Sequence, residues 1–280
     1  MNRLFFCVLL LLAAFSCPAQ YYYNDILAAA QSDKQYQVLK ANHIQTVNAR
    51  SFENDNKPAE GFRLNQEISK DAGKIITRTD YPSAGHTYTV SYYANNRIAK
   101  TEDSSANVFT VTSFEYDAAG NISRITSLTD DPARSSRSEE VHAWTYRDNG
   151  QPSGMLRIKD RKDTLVVEFV TDEKGNIGEE RWKKNGRRTE TYYYYYNDNH
   201  QLTDIVRYNV KAKRLLPDYL FEYDEKGRIS QMTQVPLGSS NYMVWKYVFN
   251  SKGLKQRELC YNKQKQLVGR IEYTYQQRFD

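Results

Sequence analysis

Tyr116-Asp117-Ala118-Ala119-Gly120-Asn121-Ile122 and Tyr223-Asp224-Glu225-Lys226-Gly227-Arg228-Ile229 are two readings of one seven-residue frame. An aromatic leads, Asp opens a turn, a residue that tolerates positive φ closes it, and an aliphatic follows one residue later. The Asp carboxylate can accept hydrogen bonds from backbone amides ahead of it, and Gly takes the left-handed conformation that closes a bulged hairpin. The frame returns at a spacing of roughly 25 residues, and such a period predicts a stack of hairpins before any local propensity is weighed. Gly73, Gly150 and Gly175 hold the closing position in other units, and Asn96 and His200 stand there in two more; Asn and His are among the non-glycine residues that best accept positive φ. Gly253, followed directly by Leu254, marks a last, shorter turn, and the first unit has Ser69 in place of the aromatic.

Stepping back by two from each aromatic gives Tyr88-Val90-Tyr92, Thr112-Phe114-Tyr116, His142-Trp144-Tyr146, Tyr192-Tyr194-Tyr196, Tyr219-Phe221-Tyr223 and Trp245-Tyr247-Phe249. The residues between are mixed, so these are half-buried antiparallel strands with one apolar face. In one unit the series Val166-Glu168-Val170 competes with Leu165, Val167 and Phe169 on the other face. Outgoing strands begin at Ile75, Ile98, Ile122, Ile177, Leu202 and Ile229 and then turn charged. The predicted fold is all-β: an antiparallel up-and-down meander of about sixteen short strands, curled or barrel-like because so wide a sheet does not stay flat. Residues 20–60 differ. Asn24 to Gln31 reads as a capped helix start running to about Leu39, followed by a strand from His43 to Phe52 and a turn at 54–58. The expected organisation is a leader at 1–19, an N-terminal helix and first strand at 20–60, and a repeat domain at 61–280.

Residues 1–19 carry Arg3, an apolar run from Leu4 to Phe15, and small residues before Gln20, which is a secretory signal pattern cut after Ala19. The rival is a lipoprotein signal that makes Cys17 the lipidated mature terminus; membrane attachment is expected only in that case. Either way the expected location is exported, in the periplasm or at the cell surface. After cleavage only Cys260 remains, so no internal disulfide is expected. The net charge of +5 is spread over interleaved acids and bases, which argues against nucleic acid as a partner.

The Tyr-Asp-x-x-Gly-x-Ile signature resembles the YD repeats of the RHS family over residues 69–275, strongly at 116–122 and 223–229. It is degenerate at 146–152, where Pro152 replaces the aliphatic, and at 170–177, where Val170 replaces Tyr. The resemblance implies a curled all-β strip or shell on exported proteins, associated with carbohydrate binding or with enclosing another polypeptide. It implies no catalytic residue.

Tyr192 to Tyr196 is the most conspicuous local run among 23 tyrosines. Tyr193 and Tyr195 should point away from the repeat's apolar face, and aromatic rings suit sugar faces. With Trp182 on an outgoing strand they form the candidate ligand-binding set, for a polysaccharide or an envelope protein. His43, His86, His142 and His200 are scattered without metal-ligand spacing, and the pairs Asp130-Asp131, Glu139-Glu140 and Glu179-Glu180 alternate across strand faces. No catalytic, metal or cofactor site is expected, and the chain reads as a non-enzyme. The alternatives are an outer-membrane β-barrel or a purely structural scaffold. The charges of the outgoing strands weigh against a lipid face.

Overall fold

A computed structural model describes residues 20–81, 85–210, 212–236 and 239–278. The leader and Cys17 therefore lie outside the described residues. The described residues open into a π-helical turn, Tyr22–Leu27, that runs directly into helix α1, Ala28–Ala41. Among the described residues, eighteen antiparallel strands follow. They are β1 (Ile44–Glu53), β2 (Pro58–Ile68), β3 (Lys74–Tyr81), β4 (Gly85–Ala94), β5 (Arg97–Ser105) and β6 (Val108–Tyr116). Next come β7 (Ile122–Asp131), β8 (Ser136–Tyr146), β9 (Pro152–Lys159), β10 (Asp163–Thr171), β11 (Ile177–Lys184) and β12 (Arg187–Tyr196). The last are β13 (Leu202–Asn209), β14 (Arg214–Tyr223), β15 (Ile229–Gln234), β16 (Met243–Phe249), β17 (Lys255–Asn262) and β18 (Leu267–Gln277).

Each strand pairs with its successor, and β18 returns to pair with β1 from Ile44↔Gln277 to Glu53↔Gly269. The meander is thus a closed barrel without sheet edges. The strand read at His43–Phe52 is the one that closes it, and the boundary expected at residue 60 falls inside β2.

A barrel of this many strands encloses more space than wall side chains can fill. The N-terminal segment enters that space as a plug. Tyr21 packs against His142 and Trp182, Tyr22 against Phe169 and Tyr194, and Tyr23 against Tyr219 and Phe221. Further along, Tyr36 of α1 stacks on Tyr93 with centroids 4.0 Å apart. Tyr21 to Tyr23 join wall strands from one half of the ring to the other in one apolar core, while Tyr36 belongs to a second cluster with Leu39, Ile44, Val47 and Ile75.

The repeat signature has a physical account residue by residue. Asp117 Oδ1 accepts the Asn121 amide at 2.8 Å, and the Gly120 amide reaches the Asp117 carbonyl at 2.9 Å. Gly120 has φ +85°, and a Cβ there would collide with the Arg97 guanidinium, which donates to the Gly120 carbonyl at 2.6 Å. The leading tyrosine works sideways. Tyr116 donates its hydroxyl to the Ile98 carbonyl, Tyr146 to Ile122, Tyr196 to Ile177, Tyr223 to Leu202 and Tyr275 to Lys255, all at 2.6–3.0 Å. Each unit therefore ties itself to the one before it through the aromatic, while residues such as Arg97 reach forward to the next turn.

Two frames differ from the sequence reading. Tyr88 and Tyr92 turn outward with Val90 buried between them, and Tyr93 faces in beside the two-residue turn Asn95-Asn96, both at positive φ. At the degenerate unit Thr171, not Val170, holds the aromatic's place opposite Ile177, so Leu165, Val167 and Phe169 are the buried face.

A bulge after the turn aliphatic explains a third difference. Tyr116 opposes Ile122 but Glu115 opposes Arg124, leaving Ser123 as the extra residue. The same shift occurs at Val170/Thr171, Tyr195/Tyr196 and Glu222/Tyr223. A bulge reverses the alternation beyond it. Ile125, Glu180, Ile205 and Met232, each three residues after the turn aliphatic, therefore face inward and are buried.

Candidate functional site

The plug is held by buried polar groups at its deep end. Glu180 has no exposed surface, and accepts the backbone amides of Tyr21 (2.8 Å) and Tyr22 (3.0 Å), the Trp182 indole N–H (2.6 Å) and the Tyr194 hydroxyl (2.6 Å). Burial pushes its carboxyl up, and the Tyr194 and Trp182 hydrogen bonds oppose that rise. Gln20 Nε2 donates to Asp218 at 2.8 Å, and Asp218 in turn pairs with Arg207 at 3.1 Å. Asp25 accepts from both His142 Nδ1 (2.7 Å) and Trp144 Nε1 (3.2 Å), while His142 Nε2 meets Glu140 at 2.9 Å. Burial lowers the His142 pKa, but the hydrogen bonds and charges of the two carboxylates outweigh it and hold the imidazole at about 9. A histidine with a carboxylate on each nitrogen has no lone pair left for a base or a metal ligand; it is an ion-paired pin for the plug.

Nearer the turns, the plug does not fill the barrel. A cavity of about 500 Å³ lies between the helix and the rim. Its inner wall includes Tyr22, Ile26, Ala30 and Asp33; its outer wall includes Tyr116, Tyr146 and Tyr196, and the turn residues Asn121, Gln151, Asn176 and His200. The repeat puts these together: Asn121, Gln151 and Asn176, each the residue after a closing Gly, recur on successive hairpins, and His200 is the closing residue of the next. His200 Nδ1 contacts Asn176 Oδ1 at 2.8 Å, and Gln151 donates to the Gly175 carbonyl, so the amides form a row along the rim. Asp33 accepts the Ile98 amide at 2.8 Å, and burial pushes its carboxyl up. The arrangement offers ring faces, amides and one carboxylate to a small polar ligand. Among the described residues, no group of three or more His, Cys, Asp or Glu is gathered as a metal site requires.

The structure separates the residues singled out from sequence. Tyr195 is 48% exposed on the outer wall, with Tyr193 half-buried beside it. Trp182 does not join them. The bulge at Gly178 turns it inward, where it is 8% exposed between Tyr21 and Tyr192. Tyr208, 52% exposed on the neighbouring strand, takes its place near the outward tyrosines. The rim row of Asn121, Gln151 and Asn176 was missed from sequence, although the position after each turn Gly carried the signal. Around the outer wall, charged pairs recur: Arg78–Glu67, Lys100–Glu102, Arg181–Glu179 and Arg270–Glu272 lie 2.6–2.8 Å apart. Among the described residues, no helix is long and apolar enough to cross a membrane.

No family model matches the chain, and no curated protein matches it. Among solved structures it is similar to a porin-like protein from Bacteroides uniformis ATCC 8492, at 10% identity and a TM-score of 0.41, over 84% of this chain and 97% of that one. A porin-like protein from Bacteroides vulgatus ATCC 8482 is similar at 11% identity and a TM-score of 0.30, over 83% and 98%. The Photorhabdus luminescens Tc holotoxin pore is similar at 10% identity and a TM-score of 0.34, over 77% of this chain; the chain spans 12% of that one. At such identities and scores the likeness assigns no residue of this chain a role.

Proposed function

We propose that this chain is an exported, non-catalytic YD-repeat barrel that holds a polyhydroxylated ligand, a glycan or glycan fragment, in the rim cavity. The cavity carries the reading: tyrosines 22, 116, 146 and 196 line it together with Asp33, Asn121, Gln151 and Asn176. Ring faces suit the C–H surface of a sugar, while amides and a carboxylate suit its hydroxyls. The tyrosine-to-carbonyl ties between successive units support the YD-repeat assignment. Export rests on the leader pattern of residues 1–19. The outer charged pairs favour water over lipid around the wall, since a lipid-facing barrel needs a continuous apolar band.

Calorimetric titration of the chain from Gln20 onward against envelope polysaccharides tests this. Ala30 is exposed on α1 and lines the cavity, so Ala30→Trp fills it without disturbing the core. Binding should vanish in that variant with an unchanged melting temperature. Binding that survives Ala30→Trp but is lost in Tyr193→Ala/Tyr195→Ala would move the ligand to the outer face. Binding to an envelope protein alone would replace the glycan, and no binding at all would leave a scaffold.

A further inference from the structure

Glu180 is a fully buried carboxylate whose hydrogen-bond partners are all neutral: two backbone amides, an indole and a phenol. Among the described residues, no cation forms an ion pair with it, whereas the nearby interior carboxylates have one: Asp218 has Arg207, and Asp25 and Glu140 share His142. A buried charge without a counter-charge is costly, and hydrogen bonds only partly offset that.

The missing cation has an obvious source in the chain itself. The Tyr21 amide nitrogen sits 2.8 Å from Glu180 Oε1. One residue spans no more than about 3.6 Å, so the Gln20 nitrogen lies within about 6.4 Å of that oxygen. In the precursor this nitrogen is a neutral peptide amide. Hydrolysis of the Ala19–Gln20 bond by a leader peptidase adds water across it, hydroxyl to the Ala19 carbonyl and hydrogen to the Gln20 nitrogen, which then protonates near neutral pH. We propose that the α-ammonium of Gln20, created by leader removal, is the counter-ion of Glu180, so that processing itself locks the plug into the barrel.

The fold makes the order of events physical. Gln20 is 3% exposed and its side chain reaches Asp218 on the barrel wall. The wall is a closed ring of hydrogen-bonded strands. The helix end of the plug is committed to the turn rim, where Asp33 caps the Ile98 amide. Gln20 itself sits beside the paired charges of Asp218 and Arg207, and the proposal places leader removal before stable seating of the plug. This inference is independent of what the rim cavity binds.

Three measurements decide it. The intact mass of the exported protein should place its first residue at Gln20 with a free α-amine; a start at Cys17 or elsewhere, or the loss of ammonia that marks Gln20 cyclised to an uncharged lactam, overturns the proposal. A chain released from a fusion so that it begins at Gln20 should melt about 3 °C or more above the same chain carrying one extra Gly, which moves the ammonium. In Glu180→Gln that difference should shrink toward zero, and a difference that persists assigns it to crowding and overturns the ion pair. Should Glu180→Gln not fold, ¹⁵N-edited NMR of the Gln20-initiated chain decides. Its α-amine should titrate well above the ordinary range of about 7.7–8.0, and an ordinary value overturns the proposal.

Discussion

On one side of the barrel, from β8 to β14, the wall meets the plug through rings: Trp144, Phe169, Trp182, Tyr192, Tyr194 and Phe221 are all buried there. On the other side, from β3 to β7, apolar residues such as Ile98, Phe114 and Ile125 also face inward, but beside them stand hydroxyl side chains that bond across strands. Thr89 donates to Asp103 at 2.7 Å, Thr110 meets Thr129 at 3.1 Å, and Thr112 meets Ser127 at 3.0 Å. The backbone pairing is the same on both sides, so the difference lies in what each side faces. The plug segment from Tyr21 to Tyr23 leans on the ring side and gives those residues something to bury against. The hydroxyl side satisfies its polar groups across strands instead, a pairing worth a few tenths of a kcal/mol to about 1 kcal/mol each. Stability should therefore be unevenly distributed around a ring whose strands look equivalent.

The largest test of that asymmetry is a pair of truncations. Phe169 stacks on Trp144 with centroids 5.2 Å apart and is 2% exposed. Phe169→Ala removes a ring from the close-packed side and should cost about 3–5 kcal/mol in urea denaturation. Thr112→Ala on the hydroxyl side should cost about 1 kcal/mol or less. Equal costs would mean that both halves are packed alike and the contrast is wrong.

A pH series probes the pin between plug and ring side. The folded His142 pKa, about 9, stands above the ordinary 6.5. A raised folded value means stability fully present below about pH 6.5 and lost as pH rises through about 9. The shift corresponds to about 3 kcal/mol, as an order of magnitude. Denaturation midpoints should fall from pH 6 to pH 10, and His142→Gln should flatten that fall while lowering stability at pH 6. A profile unchanged by the substitution would assign the pH dependence to other groups.

Much of this was readable in advance, and the limits have two physical causes. Tyr116, Tyr146, Tyr196 and Tyr223 were correctly placed on the inner face because an incoming strand alternates without interruption up to its turn. The outgoing strands were misread because a bulge one residue past the turn inverts their alternation. Trp182 was grouped with the outward Tyr193 and Tyr195 on that account, and Glu180 was read only as one of a pair alternating across strand faces. The pairs Ile122/Ile125, Ile177/Glu180 and Ile229/Met232 show what the frame omitted: the unit runs three residues further, and its second inward position follows the bulge. A curled or barrel-like sheet was expected, but its closure by particular partners and the seating of the plug were not legible, for a different reason. Both depend on long-range partners, β18 with β1 and residues 20–25 with β8 to β14, and no local pattern specifies those.

Gly120 gives a smaller and more local test, in the β6–β7 turn of the hydroxyl side. It needs positive φ, and the Arg97 guanidinium occupies the space a side chain would take. Gly120→Ala should cost about 1–2 kcal/mol from the left-handed backbone alone. Combining it with Arg97→Ala should recover only the part due to collision. A full recovery would show that the turn tolerates the backbone strain.

The smallest expected effect belongs to the outer wall. Tyr195 stands 48% exposed and opposes Asp204 across the strand pair, touching neither plug nor cavity. Tyr195→Ala should change stability by no more than about 0.5 kcal/mol. If the rim cavity is the binding site, the same variant should leave polysaccharide titrations untouched, and Tyr193→Ala should do little more. A marked loss of binding without loss of stability would restore the outward tyrosines as the functional face. The contrast that matters would then be between the two surfaces of one strand, with Tyr194 and Tyr196 building the barrel from inside while Tyr193 and Tyr195 meet the ligand from outside.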